Sequence, residues 1–205
     1  MQSLIPALMI ALGAYLIGSL SFAVIVARIM GLPDPRSFGS GNPGATNILR
    51  TGKKTAAALT LLGDAAKGWL AVWLGSLVGA HFGVQILATH LAALAVFLGH
   101  LFPVFFGFKG GKGVATALGI MIALDPWLGL AVFATWIVVF AISRISSLSA
   151  LIAALLAPIY GAYFAGSRAT ILTLCVLTIL LLWRHSGNIK RLLAGEEGRF
   201  AKPKQ

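Results

Sequence analysis

Long, nearly uncharged apolar runs follow one another through this chain, and they constrain its fold more than any motif does. They cover about Leu4–Val26, Ala56–Val78, Val84–Phe106, Val114–Leu124, Trp127–Ile142, Leu148–Phe164 and Ile171–Trp183. A helix needs about 20 apolar residues to cross a bilayer, and within the hydrocarbon every backbone polar group must be bonded inside the protein. Only 10% of the residues are charged and the mean hydropathy is +0.93, whereas about a quarter of a soluble domain is charged. The spans and their connections use up the 205 residues. The chain therefore reads as one integral-membrane domain, 1–205: an all-α membrane protein with seven transmembrane helices.

The formal net charge is +11. With so few charged residues in total, the excess points to membrane topology and not to nucleic acid. No basic segment precedes the first run and Arg28 follows it, which reads as a first span with its N-terminus outside, not as a cleaved signal peptide. Seven spans laid out from there gather Arg28, Arg36, Arg50, Lys53, Lys54, Lys109, Lys112, Arg144, Arg184, Lys190, Arg191, Arg199, Lys202 and Lys204 on one face, 14 of the 16 Lys and Arg residues. Arg168 falls on the other face and Lys67 within the second span. The expectation is a periplasmic N-terminus and a cytoplasmic C-terminus, with segments 28–55, 107–113 and 143–147 and the tail facing the cytoplasm. The far-side connections (Gly79–Gly83, Asp125–Pro126, Ala165–Ala169) are short and plain. The fourth run is too short to span alone, and a re-entrant segment there would invert the parity of everything after it. Cys175, the single cysteine, allows neither an internal disulfide nor a cysteine-based metal site. No repeat of the transporter kind is present. Gly75/Gly79 and Ala150/Ala154 have the spacing of closely packed helices.

Three polar segments interrupt the apolar pattern. The first contains Gly39-Ser-Gly-Asn-Pro-Gly-Ala-Thr-Asn-Ile-Leu-Arg50. Its glycines permit positive φ and close backbone approach to a ligand. Ser40, Asn42, Thr46 and Asn47 are short polar groups, and Arg50 offers a planar fork for phosphate. A plain Gly/Pro connector is the bland alternative, but about 25 residues is long for one. The second runs Gly99-His-Leu-Phe-Pro-Val-Phe-Phe-Gly-Phe-Lys-Gly-Gly-Lys-Gly-Val-Ala-Thr116. It is not a Walker A loop: three residues separate Gly107 from Gly111, and Gly113 stands where Ser or Thr is needed. What remains is a set of glycine amides (Gly110, Gly111, Gly113) and Lys112 just before a helix N-terminus, a suitable seat for phosphate. Lys109 fits a snorkelling lysine better. The third runs Arg184-His-Ser-Gly-Asn-Ile-Lys-Arg-Leu-Leu-Ala-Gly-Glu-Glu197. Helical spacing puts His185 and Asn188 on one face. Glu196 reads either as an active-site acid or as a partner for nearby Arg or Lys.

Asp64 and Lys67 are intramembrane charges three apart, readable as functional or as a pair that neutralises itself. Ser146, Ser147 and Ser149 at the fifth-to-sixth junction offer a helix N-cap or a substrate hydrogen bond. His81, His90 and His100 lack metal-ligand spacing, and His100 reads as a hydrogen-bond partner of a backbone group.

The three segments, in this order, resemble the bacterial membrane acyl-phosphate:glycerol-3-phosphate acyltransferases, and Asp64-Ala-Ala-Lys-Gly68 is similar to that family's second-span pattern. The likeness extends over essentially the whole chain. It implies a seven-helix inner-membrane protein with its active site facing the cytoplasm. It further implies transfer of a fatty acyl group from acyl phosphate to the 1-hydroxyl of sn-glycerol 3-phosphate, giving lysophosphatidic acid and inorganic phosphate at the first step of phospholipid synthesis. No metal or other cofactor is expected, and neither coenzyme A nor acyl carrier protein would be the direct donor. Membrane lipid and a soluble enzyme that forms acyl phosphate are the expected partners. By resemblance, Ser40, Arg50, Lys112, His185 and Asn188 are catalytic, while Asn42, Thr46, Asn47, Gly110, Gly111, Gly113 and Ser147 bind substrate. Phosphate is a ready leaving group, so positioning and charge stabilisation could supply most of the rate. His185 is the best base candidate, a substrate phosphate oxygen is the alternative, and Ser40 as a covalent carrier ranks lowest. The rival reading is a transporter for an anionic phosphate-bearing solute. Plain far-side loops and one-sided polar motifs count against it.

Overall fold

The computed structural model describes residues 4–200, and among them the secondary structure is entirely helical. Lys202 and Lys204, counted above with the basic tail, lie outside the described residues. The chain forms two compact units that divide between Leu124 and Asp125.

The first unit holds α1 (Leu4–Gly18), α2 (Phe22–Ile29), α3 (Ala45–Leu49), α4 (Lys54–His81), α5 (Gln85–Leu101), a 3-10 turn at Val104–Phe106, and α6 (Val114–Leu124). Each apolar run in this half is helical. The first is broken, however, because α1 stops at Gly18 and α2 starts at Phe22. Three stretches are long and apolar enough to cross a membrane: Leu4–Ile29 across its break, Lys54–His81, and Gln85–Phe106. The 11 residues of α6 rise only about 16 Å against a hydrocarbon core of about 30 Å.

Glycines set how closely these helices approach. A Cβ on Gly18 of α1 would fall on the Val96 carbonyl of α5, and one on Gly99 of α5 would fall on the Tyr15 carbonyl of α1. The same reciprocity joins α4 and α6: Gly68 faces the Thr116 carbonyl and Gly119 the Ala65 carbonyl. Gly75 and Gly79 lie against Ala92 and Ala88 of α5, as their spacing predicts. Lipid does not drive helices together as water would, so backbone approach and close packing must hold them. A separate cluster (Ala23, Val26, Ala27, Ile48, Ala56 and Ala57) packs α2, α3 and the start of α4 together under the first polar loop.

A break inside a span leaves backbone groups that lipid cannot satisfy. Here Lys67 of α4 donates to the Leu20 carbonyl at 2.6 Å. Its charge is met by Asp64, 2.8 Å away. The two intramembrane charges do pair with each other, and the pair also mends the broken first span. The buried Ser19 hydroxyl in the break accepts from the Val104 amide at 3.3 Å.

The second unit holds α7 (Pro126–Ser143), α8 (Ser146–Phe164), α9 (Arg168–Arg184) and α10 (Ser186–Leu193). Both α7 and α8 are long and apolar enough to span. The pair α9 and α10 passes the same test together but bends by 63°. Asp125 caps α7 by accepting from the Leu128 amide at 2.8 Å, with Pro126 in the first turn. A Thr135–Tyr160 hydroxyl bond joins α7 to α8, and Thr178 donates to the Ala154 carbonyl between α8 and α9. The N-cap of α8 is Ile145, with no side-chain cap. Of the two readings of these serines, the N-cap is not the one adopted: Ser149 donates to the Ile145 carbonyl and Ser147 to Glu197.

Gly119→Ala, which drives a methyl into the α4 backbone, should lower stability by about 1–3 kcal/mol. Gly13 faces open space, so Gly13→Ala should be neutral or stabilising by up to about 1 kcal/mol. Thermal unfolding of both variants in one detergent checks the contrast.

Candidate functional site

The first polar loop is shaped around one buried amide. Asn47, on the short α3, is 2% exposed. It donates to the Pro35 and Phe38 carbonyls at 2.8 and 3.1 Å and accepts from the Ser40 amide at 3.1 Å. Its side chain thus works from inside the loop, holding Ser40 in place. Gly39 and Gly41 take left-handed φ values of 58° and 66°. A Cβ on Gly39 would strike the Asn47 oxygen and come within 3.3 Å of the Arg50 Cδ and Nη1 atoms. The missing side chain lets the Arg50 guanidinium lie against Gly39. Ser40, Thr46 and Arg50 are exposed, and Asn42 is half-buried near Gly44.

The second loop leaves the 3-10 turn through two successive left-handed residues, Gly107 (φ 64°) and Phe108 (φ 59°). That conformation is unusual for a bulky residue and is held by the loop around it. The Phe108 amide donates to the Pro103 carbonyl at 2.9 Å. Gly110, Gly111 and Gly113 are buried and Lys112 is half-buried. The Gly111 amide donates to the His100 carbonyl at 3.1 Å. Side chains have no room here: a Cβ on Gly110 would meet the His100 and Leu101 carbonyls, one on Gly111 the His100 ring, and one on Gly113 the Phe97 ring. The glycines thus bring the main chain and Lys112 directly onto the N-terminus of α6, where helix amides and dipole favour an anion. His100 itself shares a 3.1 Å hydrogen bond with the Thr116 hydroxyl. Its ring is engaged by a side chain, while its backbone carbonyl serves the loop.

The two loops touch. A Cβ on Gly111 would lie 3.1 Å from the Pro43 carbonyl. Arg36 Nη1 donates to the Phe106 carbonyl at 3.3 Å, and its guanidinium lies 5.9 Å from the Phe106 ring centroid. Asp34 holds Arg36 through a fork of bonds at 2.7, 3.0 and 3.2 Å. That hydrogen-bonded partner keeps the Asp34 carboxyl below its ordinary value. In the sequence Arg36 is marked only as one of the basic residues of the charged face. Its role as a clasp becomes visible only once the loops are folded together.

In the second unit the hub is Glu197, a residue passed over in favour of Glu196. One carboxylate oxygen accepts from the Ser147 hydroxyl at 2.6 Å and from Asn188 Nδ2 at 2.5 Å. The other accepts from Arg191 Nε at 2.7 Å. Burial raises the Glu197 carboxyl, but the three donors outweigh it and hold the group below its ordinary value. Two sequence-predicted residues, Ser147 and Asn188, are thereby gathered on one acid. His185 sits at the bend between α9 and α10, 2% exposed, with Nδ1 2.9 Å from the Leu181 carbonyl. A carbonyl only accepts, so Nδ1 is the donor in this bond. Among the described residues no three of His, Cys, Asp and Glu group as a metal would require.

The profile of the glycerol-3-phosphate acyltransferase family matches residues 8–195. A glycerol-3-phosphate acyltransferase of Thiobacillus denitrificans is 61% identical over 195 residues, covering 95% of this chain and 98% of that one. One from Ralstonia nicotianae is 54% identical over 205 residues, covering 100% of this chain and 99% of its own. Among solved structures, PlsY, an integral membrane glycerol 3-phosphate acyltransferase, superposes in its glycerol 3-phosphate form with a TM-score of 0.86 at 38% identity, covering 95% of this chain and 96% of that chain. Its lysophosphatidic acid form gives 0.85 at 37% identity, with 95% of each chain covered.

Asn47→Ala should leave the Ser40 amide and two loop carbonyls without their partner, at about 1–3 kcal/mol for each group that stays buried. Hydrogen exchange across 35–50 should rise well beyond that elsewhere. The lowered Glu197 carboxyl stabilises the fold fully above the ordinary carboxylate range, and the contribution is lost as pH falls through the depressed value. Glu197→Gln should therefore lose stability at about pH 7 and flatten the decline that wild type shows below about pH 4, read from thermal midpoints across pH.

Proposed function

Because this chain belongs to the glycerol-3-phosphate acyltransferase family, we propose that its glycine loops bind two phosphate-bearing substrates, glycerol 3-phosphate and an acyl phosphate, and join them. The protein is a multi-span membrane acyltransferase. In the proposed reaction the 1-hydroxyl oxygen of glycerol 3-phosphate attacks the acyl carbon, the bond from that carbon to the phosphate oxygen breaks, and inorganic phosphate leaves. The product is lysophosphatidic acid. The observation that carries the reading is the meeting of the two glycine loops, with Gly111 beside the Pro43 carbonyl and Arg36 bridging to Phe106. That contact draws the Ser40–Arg50 segment and the Lys112 segment into one cationic loop cluster.

Within it, Gly110, Gly111, Gly113 and Lys112 hold the phosphate of glycerol 3-phosphate at the start of α6. Arg50, with Ser40, Asn42 and Thr46 alongside, takes the acyl phosphate, a task that suits a planar fork. Asn47 acts by fixing Ser40. The family resemblance further assigns His185 as the candidate proton acceptor, with a substrate phosphate oxygen as the alternative, and Asn188 and Ser147 as substrate-contacting residues. The positive-inside pattern supports seven crossings, α6 and α9 included, with the loops on the cytoplasmic face of a bacterial inner membrane. A cytoplasmic site accepts soluble glycerol 3-phosphate directly and takes its donor from a soluble enzyme that forms acyl phosphate.

Purified protein supplied with acyl phosphate and glycerol 3-phosphate should release inorganic phosphate and lysophosphatidic acid, while acyl-CoA and acyl carrier protein should not serve as donors. No phosphate release would sink the reading. Lys112→Ala should raise KM for glycerol 3-phosphate by about tenfold or more, the loss of a charge-assisted phosphate contact. His185→Ala should cut kcat by about a hundredfold.

A further inference from the structure

Four buried polar side chains in the first unit are not used by the reaction above, and they form a continuous path. Lys67 donates to the Leu20 carbonyl at the break in the first span, 2.6 Å away, and pairs with Asp64 at 2.8 Å. The same Asp64 oxygen lies 3.6 Å from His100 Nδ1, and that nitrogen shares the 3.1 Å bond with the Thr116 hydroxyl. All four residues are at most 7% exposed. A pair needing only neutralisation would end at Asp64 and Lys67. This path continues to both ends of the glycine loop. His100 receives the Gly111 amide on its carbonyl and has its ring against Gly111, and Thr116 opens the helix on which the loop ends. Two further bonds tie the first span to the segment that leads into the loop: Tyr15 donates to the Phe102 carbonyl at 2.7 Å, and the Val104 amide donates to Ser19.

We propose that Lys67, Asp64, His100 and Thr116 are positioning residues that set the 107–113 loop against the broken first span and so govern glycerol phosphate affinity without touching the substrate. The loop is held partly from within, by the Phe108 amide on the Pro103 carbonyl, and partly from α5, by the Gly111 amide on the His100 carbonyl. Its glycines have no side chains to pack, and its backbone is anchored through His100. Helix packing alone would fix α5 and α6 but not the rotation of the His100 ring that abuts Gly111. Nδ1 of that ring lies 3.1 Å from the Thr116 hydroxyl and 3.6 Å from the Asp64 carboxylate, and these two neighbours fix its rotation. The inference rests on the reading of the loop as the glycerol phosphate seat.

Thr116→Val keeps the shape of the side chain and removes the hydroxyl. It should raise KM for glycerol 3-phosphate about five- to tenfold, the equivalent of one buried hydrogen bond, and leave kcat and KM for acyl phosphate within about twofold. Thr116→Ser should restore wild-type values. Lys67→Met should move the same constant in the same direction, and if it does not fold, the two Thr116 variants decide alone. Equal losses toward both substrates, a fall in kcat at unchanged KM, or failure of Thr116→Ser to rescue would overturn the proposal. Lys112→Ala separates the two readings. If it raises KM for glycerol 3-phosphate while Thr116→Val does not, the brace fails and the seat stands. If both leave that KM unchanged, the seat reading fails and the brace falls with it.

Discussion

An ammonium group inside the membrane, donating to a main-chain carbonyl, is the interaction on which the first unit depends. A span that stops at Gly18 and restarts at Phe22 exposes backbone to a medium with no hydrogen bonds to give. Lys67 fills that need, and Asp64 keeps the lysine from standing as a lone charge in hydrocarbon. An unbroken helix would avoid the expense. The break instead presents Ser19 and Leu20 to the neighbouring elements, and Ser19 holds the first turn of the second loop. Irregular backbone at membrane depth is tolerated here because protein covers it.

Backbone-to-backbone packing makes this arrangement reachable. Lys67 meets Leu20 and Asp64 approaches His100 because Gly18 and Gly99 let α1 and α5 touch, and because Gly68 and Gly119 do the same for α4 and α6. The glycines of the helices and those of the loops serve different ends by one means. In the helices an absent Cβ admits a neighbouring carbonyl. In the loops it admits left-handed φ, as at Gly39 and Gly107, or the Arg50 guanidinium.

Much of this was legible in the sequence. Apolar runs announced the helices, and the first two polar segments announced the glycine loops that meet in the first unit. Asp64 and Lys67 were readable as a pair from their spacing. Other features depend on contacts between residues far apart in the chain, which no local pattern encodes. The break at Ser19–Ser21 is not announced by its sequence, since Gly18, Ser19 and Ser21 are small residues that continuous membrane helices also carry at their packing faces. Glu197 becomes the hub for Ser147, fifty residues away, a distance across which neither helical periodicity nor charge spacing gives a signal. Asn47 read as a substrate-binding group because it stands among glycines and short polar residues of the first loop. Only the folded loop turns its amide inward.

The broken first span also has a consequence for biogenesis. Membrane helices enter the bilayer in the order in which they are made, and the Leu20 carbonyl has no protein partner until Lys67 arrives with α4. Before then the span must keep its break near water or headgroups, or tilt to do so. Arrival of α4 lets the first span settle, α5 then delivers His100 to Asp64, and α6 delivers Thr116 to His100. The glycine loop between α5 and α6 is therefore the last part of the first unit to acquire its shape. Insertion of α4, α5 and α6 in turn completes polar contacts that the preceding helix left open, so the order of synthesis is also the order in which the glycine loop is locked.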